Sequence, residues 1–174
     1  KFEPDGLKYI SPVIADPLNI QHLGESMMLF YTGVSRFASD IAGEQLKGLD
    51  DRKSELKQMY EMVEEAIKIL DRKTNPVEAF GKLLHESWML KRTLAKTITN
   101  SEINDIYKKG CEAGAYGGKL LGAGGGGFIL FVASKDKHSK IKEVLSSLVY
   151  VNFKLDHDGS KVIVYDPEDI DNGK

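Results

Sequence analysis

The segment GGKLLGAGGGGF, residues 117–128, restricts the fold of this chain more than any other, because seven of its first eleven residues are glycine. Glycine loses more conformational freedom on folding than any other residue, so such a cluster is destabilising unless the backbone needs it. Glycines reach positive φ angles, and their N–H groups can converge on an anion. The segment is predicted to be a loop, preceded by a helix and followed by the buried strand FILFVAS.

One lysine, Lys119, stands among these glycines, and its ammonium group is suited to a phosphate. The alternative is a flexible linker in which Lys119 is solvated. Linkers usually combine glycine with serine, whereas this segment combines it with alanine and leucine. The phosphate-proximal candidates are therefore Lys119, Gly122, Ala123, Gly124, Gly125, Gly126 and Gly127.

Two familiar phosphate-binding motifs come close to this segment without fitting it. Gly122, Gly124 and Gly127 have the spacing G-x-G-x-x-G, but that motif needs a strand before it and a helix after it. The stretch AGAYGGKL approaches the Walker A pattern, but it begins with Ala113, and Leu120 stands where a hydroxyl would bind magnesium. We assign neither motif.

The rest of the chain predicts an α+β fold in which helices cover a mostly antiparallel sheet. Apolar runs predict strands near residues 28–33, 127–133, 149–155 and 161–165. Apolar spacing of three and four residues, together with predicted caps at Asn75 (before Pro76) and Ser101, predicts helices near 36–45, 56–70, 76–98, 101–114 and 141–148. The first 25 residues, interrupted by Pro12 and Pro17, are interpreted as an edge strand or a linker that leads into the domain.

Composition narrows the class of protein. A net charge of −2 does not indicate binding to nucleic acid or to an anionic membrane surface. No apolar run approaches the ~20 residues that a membrane helix needs. The single cysteine, Cys111, fits a reducing, cytoplasmic setting. The four histidines have no metal-ligand spacing, so we expect no metal held by protein side chains.

Further substrate candidates lie outside the glycine segment. Lys91 falls near the centre of an apolar face on the 76–98 helix, where it must either extend to solvent or meet an anion. On the same helix, Trp88 is either a core residue or the lining of a sugar pocket, whereas His85 and Arg92 are expected to be solvated. Thr97, Thr99 and Asn100 could contact sugar hydroxyls, although helix capping is the favoured reading.

The stretch TGVSR supplies one more candidate anion site. Ser35 and Arg36 stand where a strand ends and a helix is predicted to begin, and a helix N-terminus beside an arginine suits a phosphate. The alternative is an N-cap with a structural ion pair.

The segment GAYGGKLLGAGGGGFILF resembles the third signature motif of the GHMP small-molecule kinases. LFYTGVSRFASDI and LLHESWMLKRTLAKTITNSEINDIY resemble its sugar kinases, closest to the D-glycero-D-manno-heptose 7-phosphate kinases. The resemblance implies that residues 1–174 are a ferredoxin-like C-terminal domain. It further implies that the ATP phosphate loop, P-x-x-x-G-L-G-S-S-A, lies in an N-terminal domain that these residues lack.

The same resemblance implies a function for each candidate. The glycine segment would pack against the ATP phosphate loop, with Lys119 as the catalytic cation, while Ser35, Arg36, Trp88 and Lys91 would bind a sugar or sugar-phosphate substrate. ATP and Mg²⁺ would be held mainly by the N-terminal domain, and phosphorylation would occur at the anomeric hydroxyl. These 174 residues alone would then be inactive. The alternative is a stand-alone α+β module that binds a phosphorylated ligand without catalysis.

Overall fold

The computed structural model describes residues 5–34, 43 and 50–156, which contain five α-helices and a four-stranded sheet. The helices are α1 (Pro17–Ser26), α2 (Lys53–Asp71), α3 (Val77–Leu94), α4 (Ser101–Glu112) and α5 (His138–Val144). The strands are β1 (Met27–Tyr31), β2 (Gly117–Leu120), β3 (Phe128–Val132) and β4 (Val149–Val151). Single 3-10 turns lie at Asp50–Arg52, Lys96–Ile98 and Lys135–Lys137.

The sheet has the strand order β2-β3-β1-β4, and every neighbouring pair is antiparallel. Strand β1 pairs with β3 from Met27 opposite Val132 to Tyr31 opposite Phe128. Strand β2 pairs with β3 from Gly117 opposite Val132 to Leu120 opposite Ile129. The predicted α+β architecture with an antiparallel sheet is therefore confirmed.

Residues that pair across antiparallel strands point to the same side of the sheet, and on one side most of them are buried. Helices α4 and α5 cover it, and the 3-10 turn at Lys96–Ile98 closes it. The side chains of this face that are at most 1% exposed are Met28, Phe30, Leu120, Ile129 and Phe131. Each apolar side chain of this size contributes about 1.5–3 kcal/mol when fully buried, so this face is the main core.

The other face of the sheet is covered at one end and open at the other. Near Met27 and Val132 it packs on a second apolar cluster that includes Leu23 and Val77. At the opposite end Phe128 is 41% exposed and Val149 is 63% exposed. The open end of this face adjoins the glycine-rich connection between β2 and β3.

Local signals placed most helices correctly. The three- and four-residue apolar spacing of 56–70 corresponds to α2. Asn75 Oδ1 accepts a hydrogen bond from the Val77 N–H (3.0 Å) at the start of α3, as the Asn-Pro pair predicts. The cap of α4 is Asn100, which accepts from the Ile103 N–H (2.9 Å), rather than the predicted Ser101.

Two predictions of local structure are wrong. Residues 17–26, interpreted as an edge strand or a linker, form helix α1, because Asp16 caps the Leu18 N–H and Pro17 fixes the first helical φ angle. Residues 117–120, predicted as loop, form β2, because cross-strand pairing with β3 outweighs the low β-propensity of glycine.

Some helix and strand boundaries differ from the predicted ones, and two predicted elements cannot be compared with the structure. Helix α3 ends at Leu94 rather than near Ile98, because Ala95 is extended. Strand β4 ends at Val151. The strand predicted at 161–165 and nearly all of the helix predicted at 36–45 lie outside the described residues.

Candidate functional site

Residues 121–127, the glycine loop, connect β2 to β3 as the turn of a hairpin. The Leu121 N–H donates to the Phe128 carbonyl (2.8 Å) and closes its base. The predicted helix before the glycine segment is present as α4, but strand β2 stands between that helix and the loop. A strand also follows it, and the dinucleotide motif remains unassigned because that motif needs a helix there.

Hydrogen bonds at Gly125 and Gly127 tie the glycine loop to the body of the domain. The Gly125 N–H donates to the Ile98 carbonyl (2.9 Å), and the Gly127 N–H donates to the Val34 carbonyl (2.8 Å). The Gly127 carbonyl accepts from both the N–H and the hydroxyl of Thr32, each at 2.8 Å. This is the geometry of an anchored loop rather than of a free linker.

Sterics explain why the anchored part of the loop is glycine. A Cβ atom on Gly124 would lie 2.8 Å from Ile98 Cα, and one on Gly126 would lie 2.5 Å from the Val34 carbonyl oxygen. Gly122 and Gly127 face open space but have φ angles of 75° and 94°, which L-residues rarely adopt. The loop thus uses glycine both for close approach and for left-handed backbone.

The loop also presents backbone donors. Within the described part of the chain, the N–H groups of Gly122, Gly124 and Gly126 donate no hydrogen bond to the protein, whereas those of Gly125 and Gly127 are tied inward. Unbonded backbone N–H groups in a tight turn can form part of a concavity for anions. The arrangement can therefore bind an anionic group at the loop.

Two lysines lie at the start of the glycine loop. Lys91 Nζ, from α3, donates to the Gly122 carbonyl (2.5 Å), and Lys119 lies on β2, which leads directly into the loop. Burial lowers the pKa of both ammonium groups, and the positive charge of Lys119 lowers the pKa of Lys91 further. Neither lysine forms an ion pair with a carboxylate of the described residues, so an anion would relieve their mutual repulsion.

Helix α3 presents two adjacent apolar faces, of which the sequence indicated one. The predicted stripe, including Phe80, Leu83 and Leu84, faces α2 across an apolar groove of about 190 Å³. The second face meets the sheet: it is formed by Val77, Gly81 and Trp88, all buried. Sequence reasoning missed it because a glycine carries no apolar signal.

Helix α3 approaches β2 without side chains between the backbones. A Cβ atom on Gly117 would lie 2.1 Å from the Gly81 carbonyl oxygen and 2.8 Å from His85 Cβ. This contact sets the distance between the helix that carries Lys91 and the strand that carries Lys119. No local pattern could have indicated it, since it joins residues far apart in the sequence.

The remaining substrate candidates have mixed outcomes. Trp88 is 0% exposed and lies in the main core, which fits its core alternative, and its indole Nε1 has no hydrogen-bond partner among the described residues. His85, expected to be solvated, is half-buried with Nδ1 2.7 Å from the Tyr107 hydroxyl, so that expectation is wrong. Ser35 and Arg36 lie outside the described residues.

The polar residues after α3 serve the local structure. The Thr99 hydroxyl donates to Asn104 Oδ1 (2.8 Å), and Asn100 both caps α4 and places Nδ2 3.5 Å from the Gly125 carbonyl. Capping, the favoured alternative for Asn100, therefore agrees with the structure.

Elsewhere, a polar cavity of about 540 Å³ opens beyond the other end of β2, lined in part by His22, Glu25, Tyr116 and Lys135.

Among the described residues no three His, Cys, Asp or Glu side chains are grouped to hold a metal ion. No helix described here is long and apolar enough to span a membrane.

Comparison with known proteins identifies the kind of domain. Residues 66–151 match the family described as GHMP kinases C terminal. The chain is 32% identical over 157 residues to the D-glycero-alpha-D-manno-heptose 7-phosphate kinase of Campylobacter jejuni, a match that covers 86% of this chain and 46% of that protein. The resemblance to the C-terminal domain of GHMP kinases is therefore confirmed.

Solved structures show the same fold. The mevalonate kinase of Methanococcus jannaschii superposes with a TM-score of 0.66 at 22% identity, covering 80% of this chain and 43% of that one. A D-glycero-D-manno-heptose 1-phosphate kinase from Bacteroides thetaiotaomicron superposes with a TM-score of 0.57 at 20% identity, covering 88% and 40%. The chain thus spans about half the length of the relatives it matches.

Proposed function

We propose that this chain, as a GHMP kinase C-terminal domain, is the half of an ATP-dependent sugar kinase that faces the phosphates, and that its substrate is itself phosphorylated. The proposed substrate is a heptose 7-phosphate, with transfer to the anomeric hydroxyl. The name of the Campylobacter jejuni relative supports this substrate class. The proposal includes an N-terminal ATP-binding domain as the partner of the glycine loop.

The observation that carries the proposal is the pair of half-buried lysines at the start of the glycine loop. Lys91 and Lys119 influence each other electrostatically, and within the described residues no carboxylate neutralises either one. Two partly desolvated cations, beside loop N–H groups that donate no hydrogen bond within the described residues, favour a ligand with more than one negative charge. A sugar phosphate that meets the terminal phosphate of ATP brings such charges together.

The proposed mechanism gives each group one task. Phosphoryl transfer depends on positioning and on compensation of charge more than on covalent chemistry by the protein. Lys119 stabilises negative charge on the phosphoryl group in flight, and the free N–H groups of the loop orient it. Lys91 binds the phosphate that the substrate already carries. Phe128, which directly follows the loop and is exposed, is the proposed apolar contact for the partner domain.

Magnesium does not fit a site on this part of the chain. The described residues contain no group of carboxylates and histidines suited to hold it, so the proposal assigns Mg²⁺ to ATP and derives no step from it here. In the proposal, Mg²⁺ neutralises part of the negative charge of ATP, and Lys91 and Lys119 neutralise further charge on the phosphates.

A kinase screen tests the proposal. The full gene product is assayed for ATP-dependent phosphorylation of a panel of sugars and sugar phosphates, beside the 174-residue chain alone. We expect turnover of a sugar phosphate by the full product and none by the chain alone. Absence of turnover on the whole panel, or turnover by the chain alone, would overturn the proposal.

Replacing each lysine separates the two tasks. We expect Lys119→Met to lower kcat about 100-fold with little change in KM, because it removes a contact made in the transition state. Lys91→Met should raise KM for the sugar phosphate and leave KM for the unphosphorylated sugar unchanged. The control is Lys57→Met, at a side chain that is 77% exposed on α2. Equal effects of all three substitutions would contradict the assigned tasks.

A further inference from the structure

Backbone hydrogen bonds hold the peptide groups on either side of the Gly125–Gly126 peptide in the glycine loop. The Gly125 N–H donates to the Ile98 carbonyl (2.9 Å), which fixes the peptide group that precedes Gly125. The Gly127 N–H donates to the Val34 carbonyl (2.8 Å), which fixes the peptide group that follows Gly126. Within the described residues, no backbone group bonds the peptide that joins Gly125 to Gly126.

A side chain holds this remaining peptide group. Asn100 Nδ2 lies 3.5 Å from the Gly125 carbonyl oxygen, a long hydrogen bond. Asn100 is itself held in place, because its Oδ1 accepts from the Ile103 N–H (2.9 Å) as the cap of α4. A backbone N–H can only donate, so the amide atom that faces Ile103 must be the oxygen, and the atom that faces Gly125 must be the nitrogen. One amide group thus joins the start of α4 to the glycine loop.

The direction of the Gly125 carbonyl determines the direction of the Gly126 N–H. All described peptide bonds are trans, and in a planar trans peptide the C=O and N–H groups point in opposite directions. With the carbonyl toward Asn100, the Gly126 N–H points away from it, where no acceptor of the described residues meets it. Burial agrees with this arrangement, since Gly125 is buried and Gly126 is half-buried. The N–H therefore stays available to an anion from outside the domain.

Glycine at both positions makes this orientation easy to lose. A peptide group between two glycines can rotate about its flanking bonds without a Cβ atom to oppose it. After half a turn, the Gly125 carbonyl would face the anion, and the Gly126 N–H would face the amide donor of Asn100. Both contacts would then be repulsive. Asn100 has only to make one orientation more favourable than the other, which a long hydrogen bond can do.

We propose that Asn100 is a positioning residue, which keeps the Gly126 N–H directed at a phosphate group bound in the glycine loop. It touches neither the nucleotide nor the sugar; it acts through the peptide between Gly125 and Gly126. The inference rests on the proposed function and deepens it, since it names the group that orients one of the loop donors. Asn100 thereby has a role beside capping, through the second atom of the same amide.

Replacing Asn100 by serine separates the two roles. Serine caps helices about as well as asparagine, but Asn100→Ser removes the amide donor that faces Gly125. The matched control is Asn75→Ser. Asn75 caps α3 in the same way, by accepting from the Val77 N–H (3.0 Å), and it lines the cavity beyond the other end of β2. We expect both variants to keep nearly the same Tm.

NMR follows the Gly126 N–H without any need for turnover, through residual dipolar couplings, which report the orientation of each N–H bond. In Asn100→Ser the coupling of Gly126 should change or its resonance should broaden, while couplings in β1 and β3 stay the same. Titration with inorganic phosphate should shift the Gly126 amide resonance in the parent chain and in Asn75→Ser. The affinity read from this shift should decrease about 10-fold in Asn100→Ser, because a hydrogen bond to a charged group is lost.

Each outcome decides the matter. A changed Gly126 orientation together with weaker phosphate binding in Asn100→Ser, both absent from Asn75→Ser, supports the positioning role. An unchanged orientation overturns it, as does an unchanged affinity, or a parent chain in which phosphate leaves Gly126 unaffected.

A second variant keeps the test decisive if Asn100→Ser does not fold. Asn100→Asp retains the shape and the cap but lacks the donor, so the Gly126 coupling should change there too. Unfolding of both variants would assign Asn100 to stability alone and overturn the proposal. Because no turnover is measured, failure of the kinase proposal would be seen separately, in the kinase screen.

Discussion

Glycines serve two regions of this domain for different reasons. Where α3 and α4 pack on the sheet, Gly81, Gly110, Gly117 and Gly118 are buried contacts: an added Cβ atom would lie 2.1–2.6 Å from a neighbouring atom. In the glycine loop, four glycines instead have positive φ angles between 74° and 129°. The first region needs glycine for the space it leaves, and the second needs it chiefly for backbone conformation.

The comparison shows that glycine is required for two different reasons: space between packed backbones, and a backbone conformation that other residues rarely adopt. At the α3–β2 contact, glycine is required because the two backbones are too close to leave room for a side chain, and the two glycines are far apart in the sequence. In the glycine loop much of it is local, because a left-handed residue is strained in whatever space it occupies. Substitutions to alanine should therefore separate the two regions by the size of their effect.

The largest effect is expected at the α3–β2 contact. Gly117→Ala places a Cβ atom 2.1 Å from the Gly81 carbonyl oxygen, which neither backbone can avoid without separating α3 from β2. Overpacking of this kind should lower the free energy of unfolding by about 3 kcal/mol or more. Thermal unfolding should show a decrease in Tm of roughly 6–12 °C. An unchanged Tm would mean that the two backbones are not in direct contact.

A smaller effect is expected where the loop meets the body of the domain. Gly124→Ala combines a φ angle of 129° with a Cβ atom 2.8 Å from Ile98 Cα. The strain should cost about 2 kcal/mol and should be confined to the loop. Hydrogen exchange at the Gly125 N–H, which donates to Ile98, should accelerate while exchange in β1 and β3 stays slow. Global acceleration would place Gly124 with the contact glycines.

A still smaller effect is expected at the outer side of the loop. Gly122 faces open space and has a φ angle of 75°, so Gly122→Ala meets conformational strain alone, about 1 kcal/mol. The matched variant Gly122→Asn should recover much of this loss, because asparagine tolerates the left-handed region better. Equal losses for alanine and asparagine, measured by urea unfolding, would show that the restriction at this position is not the φ angle.

The smallest effect is expected to have the opposite sign. Gly24, within α1, has neither a positive φ angle nor a close neighbour: an added Cβ atom would lie 3.5 Å from Leu155 Cδ1, an ordinary contact. Gly24→Ala should therefore stabilise the domain by about 0.5–1 kcal/mol through helix propensity. A loss of stability in urea unfolding would show that glycine is required in α1 as well.

The sequence determined the elements whose signals are local. The apolar spacing of α2, the Asn75 cap before α3 and the uninterrupted apolar run of β3 each act within a few residues, so each could be read directly. The need for glycine between residues 117 and 127 was also evident, together with the candidate lysine among them.

The tertiary structure decided what those elements do together. Pairing with β3 makes Gly117–Leu120 a strand, and packing determines which face of α3 meets the sheet. Packing also brings Lys91 to the carbonyl of Gly122, three residues after Lys119. The Tyr107–His85 bond likewise joins two helices whose patterns contain no sign of it. The physical reason is range: helix and turn signals are set by neighbours in the chain, whereas backbone contacts and pairs of charges exist after packing has brought distant segments together.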